Sequence, residues 1–469
     1  MSLQIHNTAS RRKEPFEPID PANVRVYVCG PTVYDYVHIG NGRAVVVFDV
    51  LYRLLRHLFP KVTYVRNITD VDDKINARAK ETGEDIRVLT GRTADQFHAD
   101  TEALGNLEPD IEPRATDHIA EMIDIISTLI EGDFAYVADG HVLFHVPAMP
   151  DYGKLSGHTR DELIAGARVE VAPYKKDPAD FILWKPSEAD LPGWDSPWGR
   201  GRPGWHIECS AMSMKYLGKD FDIHGGGRDL IFPHHENEIA QSRCANPDTH
   251  FAKYWMHNGY LMAEGEKMSK SLGNFYTINE LLQEFPGEAI RLTLLQTHYR
   301  QQQDFAKDNL RQAKATLDRF YGALRNVADI GPVESPADAV VAALSDDLNT
   351  PAALAALHAS LSALNRAKDA GGQAKFKGEL LAGGALLGLL QQDPEDWLKS
   401  QPRIHDVTLA VQATAKASVS DEWIEDKISQ RTDARKSKDF AESDRIRDEL
   451  AEIGIILEDT PDGTIWRRA

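Results

Sequence analysis

The sequence predicts an α/β fold, a parallel-sheet domain with an insertion, followed by a helix bundle and a small C-terminal α+β unit. Three observations predict it. First, Val24-Arg25-Val26-Tyr27-Val28 alternates like a strand and is stopped by Cys29-Gly30-Pro31; helical apolar spacing runs from about Gly42 to Leu58, and Val62 to Val65 reads as a second buried strand. This is a βαβ unit, the opening of a Rossmann-type parallel sheet that binds nucleotides. Second, Ala and Leu recur at short intervals from Asn309 to Leu390, as in a bundle. Third, two helical stretches after Asp421 lead into Ile455-Ile456-Leu457, the turn Pro461-Asp462-Gly463 and Thr464-Ile465-Trp466, a terminal hairpin.

The remaining elements follow in chain order. Pro113 precedes an amphipathic helix whose apolar positions, Ile119, Met122, Ile123, Ile126, Leu129 and Ile130, keep a 3.6-residue period until Gly132. Tyr136-Val137, the turn Asp139-Gly140 and Val142 to Val146 read as a hairpin, and the stretch to about Pro203 is rich in Pro, Gly and Trp. We read it as the insertion. The sheet resumes at Phe221-Asp222-Ile223, with a glycine run, a helix from Pro233 and a strand near Tyr254 to Leu261; from about Phe275 the chain reads as mostly helical, and 391–420 as a linker. The expected divisions are 1–115 and 204–275 for the two halves of the nucleotide-binding domain and 116–203 for the insertion. Residues 276–400 form a stem-contact region and bundle, and 401–469 the linker and terminal unit.

Bulk properties bound the function. At 469 residues the chain exceeds one ordinary core and suggests about three domains. No stretch approaches the roughly 20 apolar residues of a membrane span, and Met1-Ser2-Leu3-Gln4-Ile5 has neither a basic nor an apolar leader, so a cytoplasmic location without a membrane partner is expected. Only three cysteines occur, at 29, 209 and 244, which excludes a disulfide framework and fits a reducing compartment. A net charge of -19 opposes an extended nucleic-acid face, yet a local basic track suffices for RNA while the acidic remainder suppresses non-specific binding.

Three groups of residues carry chemistry. His38-Ile39-Gly40-Asn41 stands between the first strand and its helix, where free N–H groups and the positive dipole end attract phosphate; neutral His38 donates, and Gly40 permits close approach. Lys267-Met268-Ser269-Lys270-Ser271 lies in a polar loop after the last strand, where two lysines close over a triphosphate and neutralise the leaving pyrophosphate. Cys29, Cys209, His234 and Glu238 combine thiolates, an imidazole and a carboxylate, a set that suits zinc.

The two peptide motifs, in this order on one sheet, resemble the signatures of class I aminoacyl-tRNA synthetases. Strand-end Cys29, Gly204-Trp205-His206-Ile207-Glu208-Cys209, Pro233-His234-His235-Glu236-Asn237-Glu238, the run from Asn67 to Lys74 and Asp222 to Gly227 extend the likeness over nearly the whole chain, and it is similar to the cysteinyl-tRNA synthetase family. The resemblance implies one zinc per chain on Cys29, Cys209, His234 and Glu238, and substrates Mg-ATP, L-cysteine and tRNA(Cys). Lys270 would contact ATP, with Lys267, His38 and Asn41 beside it. It further implies Trp205 and His224 on the substrate side, a turn at Gly225, Gly226 and Gly227 against the adenosine, and a monomer. His235 is expected to support the metal ligands rather than join them, and Cys244 to be a buried free thiol. Asn41 stands where many class I enzymes have His; it hydrogen-bonds but cannot become cationic.

Two rivals share this pattern. A cysteine ligase of mycothiol synthesis has the same motifs and zinc ligands with an amino-sugar inositol acceptor, but largely lacks a C-terminal region. Here that region carries Arg431, Arg435, Lys436, Lys438, Arg445 and Arg447 up to Trp466, which suits RNA recognition by phosphate contacts and base stacking. A non-catalytic RNA-binding paralogue would have lost motif lysines or metal ligands, and all are present.

Overall fold

The computed structural model describes residues 2–158, 172–268, 274–334, 337–399, 419–460 and 463–468. A hairpin of β1 (Gln4–Asn7) and β2 (Arg12–Pro15) precedes β3 (Val24–Val28), α1 (Ile39–Leu58) and β4 (Val62–Arg66). β3 and β4 pair in parallel, Val24 opposite Val62 and Val28 opposite Arg66. After α2 (Asp73–Thr82), α3 (Ile86–Ala103) and α4 (Ile119–Glu131) comes an antiparallel sheet of β5 (Ala135–Ala138), β6 (His141–Phe144), β7 (Phe181–Pro186) and β8 (Gly201–Pro203). The chain then returns through α5 (Trp205–Leu217), β9 (Phe221–Gly227), α6 (Glu236–Ala245) and β10 (Ala252–Asn258).

β9 and β10 complete a parallel sheet ordered β10-β9-β3-β4. Strand order therefore reverses between β3 and β9, and the crevice at their carboxyl ends is where such sheets receive ligands. Because side chains alternate along β3, the strand serves two cores. Val26 and Val28 pack with Val46, Phe48 and Leu51 of α1 on one face. Tyr27 packs with Ile207, Ala211 and Met212 of α5 on the other.

A second small sheet, ordered β12-β11-β13, is built from β11 (Leu261–Ala263), β12 (Glu266–Lys267) and, after α7 (Ile278–Glu284) and α8 (Gly287–Leu295), β13 (Gln303–Phe305). The bundle comprises α9 (Lys307–Arg325), α10 (Asp338–Leu344), α11 (Thr350–Arg366), α12 (Ala370–Leu387) and α13 (Pro394–Lys399). The terminal unit, α14 (Asp421–Lys436), α15 (Phe440–Glu452) and the hairpin β14 (Ile455–Thr460) with β15 (Gly463–Arg468), closes on its own core of Ile424, Ile428, Ile446, Leu450, Ile455 and Trp466. No described helix is long and apolar enough to cross a membrane.

Four expectations are corrected. Gly225 to Gly227 are not a turn but the end of β9, hydrogen-bonded in register with β10. The helix expected from Pro233 begins at Glu236, because Phe232 is extended (φ -137, ψ 133) and Ile231–His235 forms a wide π turn. The strand expected from Tyr254 to Leu261 is two strands in two sheets, broken where the Gly259 amide turns to the Tyr299 carbonyl at 2.7 Å. The stretch after Phe275 contains β13, which pairs with β11 in parallel. Of the expected linker, residues 400–418 lie outside the described residues, and 394–399 are helical.

Candidate active site

The carboxyl ends of β3 and β9 bring four ligating groups together. Cys29 follows β3 and donates its amide to the Gly225 carbonyl at 3.1 Å. Its sulfur lies 3.6 Å from Cys209 Sγ and 3.5 Å from Glu238 Oε1, and His234 Nε2 is 3.0 Å from the same carboxylate oxygen. The four ligating atoms all lie within 4.8 Å of one another. Cys209, His234 and Glu238 are buried and Cys29 is half-buried.

The electrostatics of the cluster suit a cation. Burial alone would raise Cys209, but the hydrogen bond with Cys29 and the His234 charge bring it down to about 6. Burial and Cys209 push the Cys29 thiol well up. Against burial, Glu238 and Cys209 raise His234 to about 10, and His224 with His234 hold Glu238 well below its usual range. A thiolate and a carboxylate thus share one imidazolium, and a divalent ion in place of its Nε2 proton and of the Cys29 thiol proton would satisfy all four donors. Two sulfurs, one nitrogen and one carboxylate oxygen fit a thiophilic tetrahedral metal.

Neighbouring rings fix these ligands. His206 Nδ1 lies 2.9 Å from His234 Nδ1, and Trp205, 39% exposed, stacks on His234 with centroids 4.3 Å apart. His224 is fully buried behind Glu238, 2.8 Å from its Oε2, and stacks on Trp255. His235 also lies within metal-ligating distance, in a second quartet of Cys29, His224, His235 and Glu238. Its Nε2 is 3.4 Å from Cys29 Sγ, its Nδ1 is 2.8 Å from His257 Nε2, and His257 Nδ1 meets Thr8 Oγ1 at 2.8 Å. Cys244 is a half-buried free thiol.

The nucleotide motif forms the first turn of α1. His38 is its N-cap, with Nδ1 accepting from the Gly40 amide at 3.1 Å, and burial lowers its pKa. A neutral ring accepting at Nδ1 carries its hydrogen on Nε2, which is the donor a phosphate oxygen needs. A Cβ at Gly40 would lie 2.9 Å from the His38 ring and 3.0 Å from Met268 Cε, so the lysine segment rests directly on this glycine. Asn41 is exposed. Lys267 ends β12, paired with Met262; its side chain and all of Lys270 lie outside the described residues. Gly225 makes room for Phe48 of α1, whose ring would be 2.3 Å from a Cβ there.

The C-terminal unit departs from the basic, aromatic surface expected of it. Trp466 is 2% exposed and donates to Glu425, so its ring is core, not a stacking platform. Arg431 and Arg435 both bind Asp459, Arg445 binds Glu442 and Glu449, and Arg447 binds Asp444 and Asp448. Acidic residues one turn away or on the facing strand neutralise these cations. The exposed aromatics of the unit are Trp423 and Phe440. Of the supporting residues, His206 lay inside the quoted Gly204 to Cys209 segment; Thr8 and His257 had no local signal.

Comparison with known proteins agrees with this geometry. Residues 15–315 match the family described as tRNA synthetases class I (C) catalytic domain, 339–391 a DALR domain, and 425–467 the cysteinyl-tRNA ligase anticodon binding domain. The chain is 62% identical over 471 residues to the cysteine–tRNA ligase of Rhodospirillum rubrum and 62% identical over 472 to that of Paramagnetospirillum magneticum, with both chains of each pair covered entirely. Among solved structures it is similar to Mycobacterium tuberculosis methionyl-tRNA synthetase in complex with methionyl-adenylate (TM-score 0.56, 15% identity, 82% of this chain and 96% of that one). It is also similar to LeuRS of Agrobacterium radiobacter K84 in a ternary complex (TM-score 0.59, 12% identity, 81% and 85%).

Proposed function

Because the chain belongs to the cysteine–tRNA ligase family of class I aminoacyl-tRNA synthetases, we propose that it activates L-cysteine with Mg-ATP beside a zinc ion held by Cys29, Cys209, His234 and Glu238. The observation that carries the reading is the convergence of these four donors at the carboxyl end of the parallel sheet, where the His38 motif opens α1. A zinc ion held by these four residues would supply a thiolate-accepting position, for which serine's hydroxyl is a poor ligand. Selection at this step removes the need for editing.

The protein's own groups do the rest. Trp205 closes over the cysteine side chain, and His224 holds Glu238 in its ligating orientation. His38 Nε2–H and the first amides of α1 bind phosphate oxygens, Asn41 adds a neutral donor, and the main chain at the end of β9, by Gly227, lies against the adenosine. A cysteine carboxylate oxygen attacks the α-phosphorus, the bond to the bridging oxygen breaks and pyrophosphate leaves, its growing charge met by Lys267 and Lys270. The terminal ribose hydroxyl of tRNA(Cys) then displaces AMP from the adenylate carbonyl. The terminal unit supplies remote tRNA binding, supported by the match over 425–467, which argues against the amino-sugar acceptor. A cytoplasmic monomer completes the reading.

The test is ATP–pyrophosphate exchange without tRNA, with cysteine or serine, on protein of measured zinc content. Exchange should require cysteine, disappear on chelation, return with zinc, and be followed by charging of tRNA(Cys). Zinc-replete protein inert toward cysteine would overturn the reading.

A further inference from the structure

Arg43 is fully buried one turn into α1, and its guanidinium meets no carboxylate among the described residues. Its three hydrogen bonds all go to main-chain carbonyls, from Nη1 to Gly259 and Tyr260 at 2.9 Å each and from Nη2 to His298 at 3.2 Å, while Nε has no partner. Burial lowers its pKa to about 10, so it remains a cation at neutral pH. A buried cation without an anion is costly, and a methionine would fill the space without that cost but leave the carbonyls unmet.

The three carbonyls are the entries to the small sheet. Gly259 and Tyr260 form the corner between β10 and β11, and His298 opens the segment that leads into β13. The two segments are tied to each other, Gly259 N–H to the Tyr299 carbonyl at 2.7 Å and Gln303 N–H to the Tyr260 carbonyl at 3.0 Å. β12, with Lys267, hangs on β11. The far end of the lysine loop returns to the same helix: Ile39 N–H bonds the Tyr276 carbonyl at 2.9 Å, Ile278 N–H bonds the Val37 carbonyl at 3.0 Å, and the His38 ring meets Phe275 edge-on at 5.3 Å. Both stems of the loop are therefore anchored on the segment that carries His38, one by backbone pairing and the other by Arg43.

We propose that Arg43 is a positioning residue for adenylate formation: its guanidinium locks the sheet that carries the lysine loop in register with the helix that carries His38. This rests on the function proposed above. A planar fork with several donors spans three carbonyls that a lysine, with a single ammonium head, cannot reach together. The candidate metal cluster sits after β3, on α5, on the Ile231–His235 turn and on α6, and Arg43 hydrogen-bonds none of these.

The experiment compares wild type with Arg43→Lys and Arg43→Gln in cysteine-dependent pyrophosphate exchange, zinc content, and hydrogen exchange of residues 261–268 and 274–278. Zinc and the KM for cysteine should stay within about twofold, while kcat falls roughly tenfold or more in Arg43→Gln and less in Arg43→Lys, as expected for misplaced groups. Amides of 261–268 and 274–278 should lose protection while those of β3 and β9 keep theirs. Full kcat in both variants, or a kcat loss matched by loss of zinc and of protection across the parallel sheet, overturns the proposal. If Arg43→Gln does not fold, Arg43→Lys decides by the same criteria; a lysine variant that also fails to fold assigns Arg43 to stability alone. A wild type without cysteine-dependent exchange instead overturns the functional reading, and this proposal with it.

Discussion

His206 and His234 face each other through their Nδ1 atoms, 2.9 Å apart, so one hydrogen serves the pair. Burial and the His234 charge drop His206 to about 3, whereas His234, raised to about 10, keeps its protons and donates from Nδ1. This leaves His234 Nε2, aimed at Glu238 Oε1, as the nitrogen from which a metal would displace a proton.

Removing the acceptor should loosen the ligand. His206→Ala leaves the His234 ring free to rotate, and loss of such a supporting contact typically costs ten- to a hundredfold in metal affinity. Chelator competition on the purified variant checks this; unchanged affinity would show that Trp205 stacking alone orients the ring.

Metal loading should weaken in acid. At pH 7 Cys29 is protonated because burial and Cys209 raise it, His234 is protonated because Glu238 and Cys209 outweigh burial, and Cys209, at about 6, is mostly thiolate. Binding then displaces about two protons, so log K should gain roughly two per pH unit near neutrality. Titration of zinc at several pH values measures the slope, and a slope near zero would contradict the assigned protonation.

Lys270→Ala should slow adenylate formation far more than it weakens cysteine binding, because its charge is needed where negative charge develops. Loss of such a contact costs about 3 kcal/mol, or roughly a hundredfold in rate. Pyrophosphate exchange at saturating cysteine reads it directly, and a normal rate would remove Lys270 from the mechanism.

Asp49→Ala should be among the most destabilising single changes outside the site. Asp49 of α1 is the carboxylate partner of Arg291 on α8, which is fully buried and also bonds the carbonyls of Leu387 at 2.6 Å and Leu104 at 3.3 Å. Breaking a buried pair by removing one partner costs about 3–5 kcal/mol. Denaturant unfolding at fixed zinc should show it, and a loss under about 1 kcal/mol would mean that the carbonyls suffice to hold the charge.

Ending the chain after Lys399 should leave cysteine activation almost intact and lower transfer to tRNA by orders of magnitude, since remote binding energy positions the acceptor end. The terminal unit touches the bundle through Arg325 with Glu458 at 2.6 Å and Arg468 with the Lys399 carbonyl at 3.1 Å. Neither contact reaches the carboxyl end of the parallel sheet where the adenylate would form. Normal charging by the truncated protein would exclude a tRNA role for the unit.

Local periodicity and residue type by themselves determined the β3–α1–β4 unit, the amphipathic α4 and the terminal hairpin, while the His38 motif and the four metal-ligand candidates stood out through the resemblance to class I synthetases. Each is written in a short window: alternation marks a strand, a 3.6-residue period marks a helix, and a thiol at a strand end is visible as a residue type. Only the tertiary structure decided that Gly225 to Gly227 are strand, because glycines carry no periodic signal and pair only when β10 supplies the partner. It likewise decided that Trp466 is interior, that Arg431 and Arg435 are spent on Asp459, and that the chain turns out of the parallel sheet at Gly259. The ring of residues behind the metal ligands was hidden for the same reason. Thr8 and His257 are 249 positions apart, as Arg43 and Gly259 are 216, and such contacts come into being only when the parallel strands and their crossovers assemble.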